Sequence, residues 1–314
     1  MRAEDISTIA IVGAGLMGRG IAQVFASGNH DVYILDVKED ILADAIRDIR
    51  TNLTTMVQGG FNWPTGIDAI MNKIRTTQDM NDIKNARMII EAVPENLDLK
   101  QKIFQQLDRL CPPETILATN TSVIRVTEIA AKAHHQQRIV GTHFWNPAYL
   151  IPLVEVVKGD SSAEEAVETT YRVLKSVGKH PVRVMKDVPG FIGNRLQHAL
   201  WREAVSIVAS GIAPPDAVDD VVKQGFGMRL PVLGPLENAD MVGLDMTLAI
   251  HDYILKYIDS SPGSSPLLRE KVKKGELGFK SGKGFYNWSR EESEKSKERL
   301  LKHLLDWVLK QQGQ

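Results

Sequence analysis

His143 stands where a base could act. It closes the β-branched run Ile139 to His143 and is followed by Phe144-Trp145-Asn146-Pro147. In an open α/β sheet the carboxyl ends of the strands border the ligand crevice, so an imidazole at that position faces a substrate. Glu155 follows in the apolar run Leu153-Val-Glu155-Val-Val157. A carboxylate inside an apolar strand needs a partner. If the two strands adjoin, Glu155 fixes the imidazole tautomer and stabilises the imidazolium, which is what a general base for a hydroxyl proton requires. Spacing alone leaves another reading open, a satisfied core histidine beside a surface glutamate. His134 and His135 fall in a polar turn and His303 in an amphipathic segment, so they carry less chemistry.

A second constellation lies near the N-terminus. Gly13, Gly15 and Gly18 have G-x-G-x-x-G spacing, directly after the strand-like Thr8 to Val12 and directly before a helical segment opened by Leu16 and Met17. Gly13 permits the tight turn, Gly15 lets the backbone approach a pyrophosphate, and Gly18 lets the helix pack close to its strand. The free amides of that helix then face the phosphates. The next strand-like run ends in Asp36, 18 residues after Gly18, where a ribose-binding acid belongs. Asp36 can accept hydrogen bonds from both ribose hydroxyls of NAD but confronts the 2′-phosphate of NADP. At ~4 Å and an effective dielectric near ~20, such a charge pair is worth about 4 kcal/mol, enough to exclude NADP. NAD is therefore the expected cofactor. Capping of the helix that begins near Lys38 is an alternative, compatible role for Asp36.

Positioning these groups requires a sheet. Short β-branched runs alternate with amphipathic segments from Thr8 to Met185, the pattern of strands and crossover helices in a parallel sheet. The predicted strands are Thr8 to Val12, Val32 to Asp36, Met88 to Ala92, Ile116 to Thr119, Ile139 to His143, Leu153 to Val157 and Val182 to Met185. Between the second and third, the stretch from Gln58 to Pro64 breaks the rhythm and predicts a projecting helical hairpin, a candidate for substrate contact. After Lys186-Asp187-Val188-Pro189-Gly190 the strand signal ends, and helices punctuated by Pro214-Pro215 and Gly234-Pro235 follow. The expected domains are 1–187 and 188–314. Leu300, Leu301, Leu304, Leu305 and Val308 form the apolar face of a last helix, read as packing or dimer contact.

Composition narrows the partners. The 38 Lys and Arg against 39 Asp and Glu leave a net charge of −1, so no overall field draws the chain to nucleic acid or an anionic membrane. Cys111 is the one cysteine, which excludes an internal disulfide and a multi-thiolate metal site; no metal is expected. The opening Met1-Arg-Ala-Glu-Asp-Ile6 has no apolar leader, and no later run approaches the roughly 18 residues that span a bilayer. The expected location is the cytoplasm, and the expected partner a small-molecule substrate.

The motifs together resemble those of the L-3-hydroxyacyl-CoA dehydrogenases. They are Glu91-Ala-Val-Pro-Glu95-Asn96-Leu97, Ala118-Thr-Asn120-Thr-Ser122, His143-Phe-Trp-Asn146-Pro147, Lys186-Asp-Val-Pro-Gly-Phe-Ile-Gly-Asn194-Arg195, Val242-Gly-Leu-Asp245 and Lys280-Ser-Gly-Lys-Gly-Phe-Tyr286. The resemblance implies an α/β N-terminal Rossmann domain, doubly wound on a mostly parallel sheet, followed by an all-α C-terminal domain that forms a homodimer. It implies reversible NAD-dependent oxidation of a 3-hydroxyacyl-CoA in fatty acid metabolism, with His143 as the base, Glu155 as its dyad partner, and Ser122 and Asn194 lining the reaction site. The cofactor contacts it implies are the glycine turn with Leu16 and Met17, Asp36, Ala92, Val93, Glu95, Lys100, Asn120, Ser122, Asn146 and Lys280. Without the resemblance, Ser122 and Asn194 read equally as helix caps, and Lys100 and Lys280 as solvated charges.

One stretch departs from the family pattern. Acyl-CoA members usually carry a lysine-rich helix after the second strand, whereas Thr51 to Phe61 contains no lysine or arginine. Trp145 and Met228-Arg229-Leu-Pro231 also differ. Relatives on the same framework oxidise CoA-free 3-hydroxy acids such as gulonate, carnitine and a pyridine carboxylate derivative, so that substrate class is the alternative. A non-catalytic NAD-binding structural protein is a further one.

Overall fold

The computed structural model describes residues 3–312; Met1 and Arg2, read above for a leader, lie outside the described residues, as do the last two. One sheet holds eight strands in the order β3-β2-β1-β4-β5-β6-β7-β8. They are β1 (Thr8–Val12), β2 (Asp31–Leu35), β3 (Ile74–Thr77), β4 (Met88–Glu91), β5 (Ile116–Thr119), β6 (Ile139–Phe144), β7 (Leu153–Val157) and β8 (His180–Val184). From β3 to β6 all neighbours are parallel; β7 runs antiparallel to β6, and β8 is parallel to β7. The order reverses at β1, which makes the sheet doubly wound and mostly parallel, as expected.

Connecting helices are α1 (Leu16–Ser27), α2 (Glu39–Gln58), α3 (Ile67–Met71), α4 (Leu97–Leu110), α5 (Val126–Ala130) and α6 (Glu164–Ser176). Burial on both faces explains why the strands read as unbroken apolar runs. Ile9 and Ile11 of β1 enter one core with Ile34, Ile90, Val140 and Val154. Their neighbours Ala10 and Val12 enter the other, with Ile89, Leu117, Ile139 and Val157.

Three elements depart from expectation. β3 was not foreseen, because in Ile74-Arg-Thr-Thr77 only Ile74 is buried and the strand lies on the sheet edge. β8 starts at His180, before the apolar run, since an edge strand tolerates Pro181. The stretch after α2 is folded back, with Phe61 buried among Met56, Leu150 and Leu305 and Trp63 packed on Phe61 at 4.3 Å between ring centroids. The hairpin tip singled out for substrate contact is therefore covered by the chain's own C-terminal segment.

Contacts divide the chain into two compact units, residues up to Asn194 with those from Leu300 onward, and Arg195–Arg299. This differs from contiguous halves at 1–187 and 188–314. Apolar burial accounts for the return of the C-terminus to the first unit: Leu305 keeps 7% of its surface, and fully burying a leucine stabilises by about 1.5–3 kcal/mol. The second unit is helical. α7 (Gly193–Ala209) leads into it, and α8 (Pro215–Gln224), α9 (Pro235–Val242), α10 (Leu244–Ile254) and α11 (Pro266–Lys273) follow; α12 (Arg290–Gln312) starts in the second unit and ends in the first. α8, α9 and α11 each open on proline, whose missing N–H costs nothing in a first turn. Among the described residues no helix is long and apolar enough to cross a membrane.

Candidate functional site

The glycine turn is built as its spacing predicts. Gly13 has φ +103°, and a Cβ there would lie 2.8 Å from the carbonyl oxygen of Ala92. A Cβ on Gly18 would lie 1.8 Å from the carbonyl oxygen of Gly13, so the helix can approach its strand only through glycine. Gly15, by contrast, faces open space, with nothing within 4 Å of a Cβ. That opening in front of the first turn of α1 is where a pyrophosphate can meet backbone amides. Asp36 follows β2 and accepts from Ala14 N at 2.9 Å and from Lys38 N at 3.2 Å. It thus braces the turn and the start of α2 at once, and a carboxylate has lone pairs left for two ribose hydroxyls. Turn, opening and acid together fit a dinucleotide.

Next to this turn lies a buried ionic network. Glu91 ends β4 and is fully buried; its Oε1 accepts from Lys100 Nζ at 2.8 Å and Val93 N at 2.7 Å, and its Oε2 from Thr119 Oγ1 at 2.7 Å. Lys100 is also fully buried, donating to Val93 O at 3.3 Å and pairing with Glu95 at 3.4 Å. The cofactor contact expected of Lys100 is therefore closed to its ammonium, which is enclosed by two carboxylates and a carbonyl. Glu95 turns toward the loop after β5, where its Oε1 accepts from Thr121 Oγ1 at 2.5 Å and from the amides of Ser122, Val123 and Ile124 at 3.0, 3.0 and 3.4 Å. Burial raises the Glu95 carboxyl, but the Thr121 hydroxyl, the loop amides and Lys100 outweigh it and hold it below the usual carboxylate range. Asn120 is tied to backbone at two points, its Oδ1 accepting from Phe144 N at 2.9 Å and its backbone N–H donating to Glu91 O at 2.7 Å.

The antiparallel register of β6 and β7 sets His143 directly opposite Glu155. Nδ1 of His143 lies 2.7 Å from Oε2 of Glu155, and the residues keep 5% and 1% of their surface. The other oxygen, Oε1, accepts from the amides of Ile192 and Gly193, each at 2.9 Å. These bonds hold the entry to α7, where Phe191 adopts the left-handed φ of +50°. Asn194 follows and donates from Nδ2 to the carbonyl of Ser122 at 2.8 Å. Trp145 and Phe191 flank the imidazole, with ring centroids at 5.3 and 5.8 Å. Neither cap reading survives in its simple form: Ser122 precedes α5, whose cap is Arg125, and Asn194 already lies inside α7, with one Nδ2 hydrogen donated to Ser122 and the other left.

The first unit thus brings together the glycine turn, Asp36, Ala92, Val93, Glu95, Asn120, Ser122, His143, Glu155 and Asn194. Asn146 is exposed in the loop after β6. Lys280 belongs to the second unit and is exposed in the turn between Gly278 and Lys283. Glu91 carries more of the site than its motif suggested. The signal was present, one carboxylate at the end of Met88-Ile-Ile-Glu91, the same kind of feature that singled out Glu155.

The model of the 3-hydroxyacyl-CoA dehydrogenase NAD binding domain matches residues 8–188, and that of the 3-hydroxyacyl-CoA dehydrogenase C-terminal domain matches 190–288. A probable 3-hydroxybutyryl-CoA dehydrogenase of Bacillus subtilis (strain 168) is 39% identical over 290 residues, 92% of this chain and 100% of that protein. Among solved structures, a 5-formyl-3-hydroxy-2-methylpyridine 4-carboxylic acid 5-dehydrogenase superposes with a TM-score of 0.90 at 33% identity, covering 96% of this chain and 97% of that one. The (S)-3-hydroxybutyryl-CoA dehydrogenase of Ralstonia eutropha superposes with a TM-score of 0.76 at 34% identity, covering 90% and 99%.

The Glu155 contacts have a consequence for acid stability. Burial raises its carboxyl, but hydrogen bonds from His143 and from the amides of Gly193 and Ile192 outweigh burial and hold it below its ordinary 4.5. A depressed folded-state pKa stabilises the fold above the unfolded value, and that stability is lost as pH falls through the folded value. Thermal unfolding followed from pH 6 to pH 3 should therefore show a shallower fall of Tm below about pH 4.5 in Glu155→Gln than in the parent protein. Parallel curves would mean that Glu155 is not held ionised by these bonds.

Proposed function

The chain belongs to the 3-hydroxyacyl-CoA dehydrogenase family, and on that premise we propose that it oxidises an L-3-hydroxyacyl-CoA to the 3-ketoacyl-CoA. It is an NAD-dependent oxidoreductase acting on a secondary alcohol. NAD, when bound, supplies the acceptor for the hydride leaving C3. Gly13, Gly15, Leu16, Met17 and Gly18 hold its pyrophosphate, Asp36 its ribose, and Ala92, Val93 and Asn146 the remainder. Glu95 and Lys100 act through the Ser122 loop.

The observation that supports this reading is the Glu155 clamp. An ionised Glu155 can only accept, so Nδ1 of His143 must donate to it and Nε2 is left as the basic nitrogen. Nε2 takes the hydroxyl proton as the hydride departs, and the imidazolium forms beside a carboxylate already in contact. The Ser122 hydroxyl and the Asn194 amide hold the reacting oxygen or the neighbouring carbonyl, fixing the carbon for transfer.

The alternative, a CoA-free 3-hydroxy acid, is favoured by a specific feature. Residues 51–61 have no cation, and their apolar tip is covered by Leu305. The similar pyridine-acid enzyme also spans more of this chain than the 3-hydroxybutyryl-CoA enzyme, 96% against 90%.

Homodimerisation through the second unit is part of the proposal. Its helices expose Val221, Leu236, Leu244 and Leu248, each more than 60% accessible in the single chain, a larger apolar display than a lone soluble unit usually carries. Light scattering should give twice the 34.9 kDa chain mass; a monomer at micromolar concentration would remove the dimer.

The substrate is decided by steady-state rates with NAD on 3-hydroxybutyryl-CoA, free 3-hydroxybutyrate, gulonate and carnitine. The thioester should be turned over, and His143→Ala should slow it by ~10²–10⁴-fold with NAD affinity nearly unchanged. Turnover of a free acid alone would replace the thioester by the alternative, and full activity in His143→Ala would remove the base.

A further inference from the structure

A cavity of about 880 Å³ lies in the first unit, away from every residue of the reaction site. Its walls come from the end of α1, the tip after α2, the loop between β6 and β7, the turn before β8 and the last turns of α12. The size suits a small organic molecule. Phe61, Trp63, Tyr149, Trp307 and Val308 make it largely apolar, and Lys179 brings one ammonium into it. Trp307 and Val308 come from the last turns of α12, beyond the matched residues 190–288, while the other walls lie within the first unit's matched region.

Lys179 is the unusual member. It keeps 9% of its surface and donates to the carbonyls of Ala148 and Ile151, the latter at 3.0 Å. An ammonium has three N–H groups, so these contacts leave one. Among the described residues no carboxylate pairs with it, and neither Asp nor Glu lines the cavity; His180, exposed, and Tyr149 are the other titratable groups there. Carbonyl dipoles solvate a buried cation without neutralising it, and a buried charge lacking a counter-ion is costly. Burial accordingly pulls the ammonium down to about 8. Two further polar atoms on the wall, Ser27 Oγ and Trp63 Nε1, are buried without a hydrogen-bond partner.

We propose that this cavity binds an organic monocarboxylate, with its carboxylate on Lys179 and its apolar body between Trp63 and the face of α12 that carries Val308. The ligand supplies the missing counter-ion, and no part of the reaction site is needed to hold it. Such a molecule would tie α12 to the end of α2, making the docking of the C-terminal helix sensitive to the acid.

Calorimetric titration of the full-length protein with octanoate, and with 1-octanol as a neutral probe of equal length, tests this. Octanoate should bind saturably and roughly tenfold or more tighter than octanol. Lys179→Gln should bring octanoate down to the affinity of octanol. Val308→Trp, which narrows the cavity from α12 and leaves Lys179 in place, should weaken both. Should Lys179→Gln fail to fold because two carbonyls lose their donor, the octanoate to octanol ratio and Val308→Trp still decide. Absence of saturable octanoate binding, equal affinity for octanol, or octanoate binding unchanged in Val308→Trp would overturn the proposal.

Discussion

The reaction site depends on one buried carboxylate used at both oxygens. Glu155 receives His143 on one side and the entry to α7 on the other. Burying an ionised carboxylate costs several kcal/mol, and only well-formed hydrogen bonds to the charged form offset that cost. Removing any of those donors therefore leaves a charge uncompensated, and hydrogen bonds to charged groups contribute about 1.5–3 kcal/mol each. The imidazole and the backbone before Asn194 are in consequence coupled: neither can shift without exposing the same carboxylate. A strained residue, Phe191, is held in place within that coupling.

A second buried carboxylate repeats the device on the cofactor side. Glu91 fixes Lys100, Val93 and Thr119, and Lys100 passes the constraint to Glu95, whose oxygen gathers the amides after Thr121. The two networks meet at Ser122. Its amide is held by Glu95 and its carbonyl by Asn194, so the residue proposed to touch the reacting oxygen is bracketed from both sides. Precision of this kind, set by packed and satisfied groups, is what preorganised chemistry needs.

What could be read beforehand followed from how local each signal is. The glycine turn and Asp36 depend on a short stretch of chain, and their spacing was sufficient. The His143–Glu155 pair needed strands β6 and β7 to adjoin, a condition the runs suggested but register alone supplied. The Oε1 contacts of Glu155 were invisible, because backbone amides leave no mark on residue type. Lys100 was misplaced for a related reason: a lysine read on its own counts as a solvated charge, and only the fold puts Glu91 beneath it. β3 escaped notice since its outward residues are polar. The apolar stripe of α12 was legible, but its partner, the tip after α2, was not.

The central claim is that Glu155 fixes His143 with Nδ1 protonated and Nε2 free to act as the base. Long-range ¹H–¹⁵N correlation spectra of histidine-labelled protein, compared with His143→Gln to assign the signal, observe this tautomer directly. The structure predicts a protonated Nδ1 and a bare Nε2 for neutral His143, changing to a mixture of tautomers in Glu155→Gln. A proton resident on Nε2 in the parent protein would contradict it, because the nitrogen facing the substrate would then be a donor and could not take the hydroxyl proton.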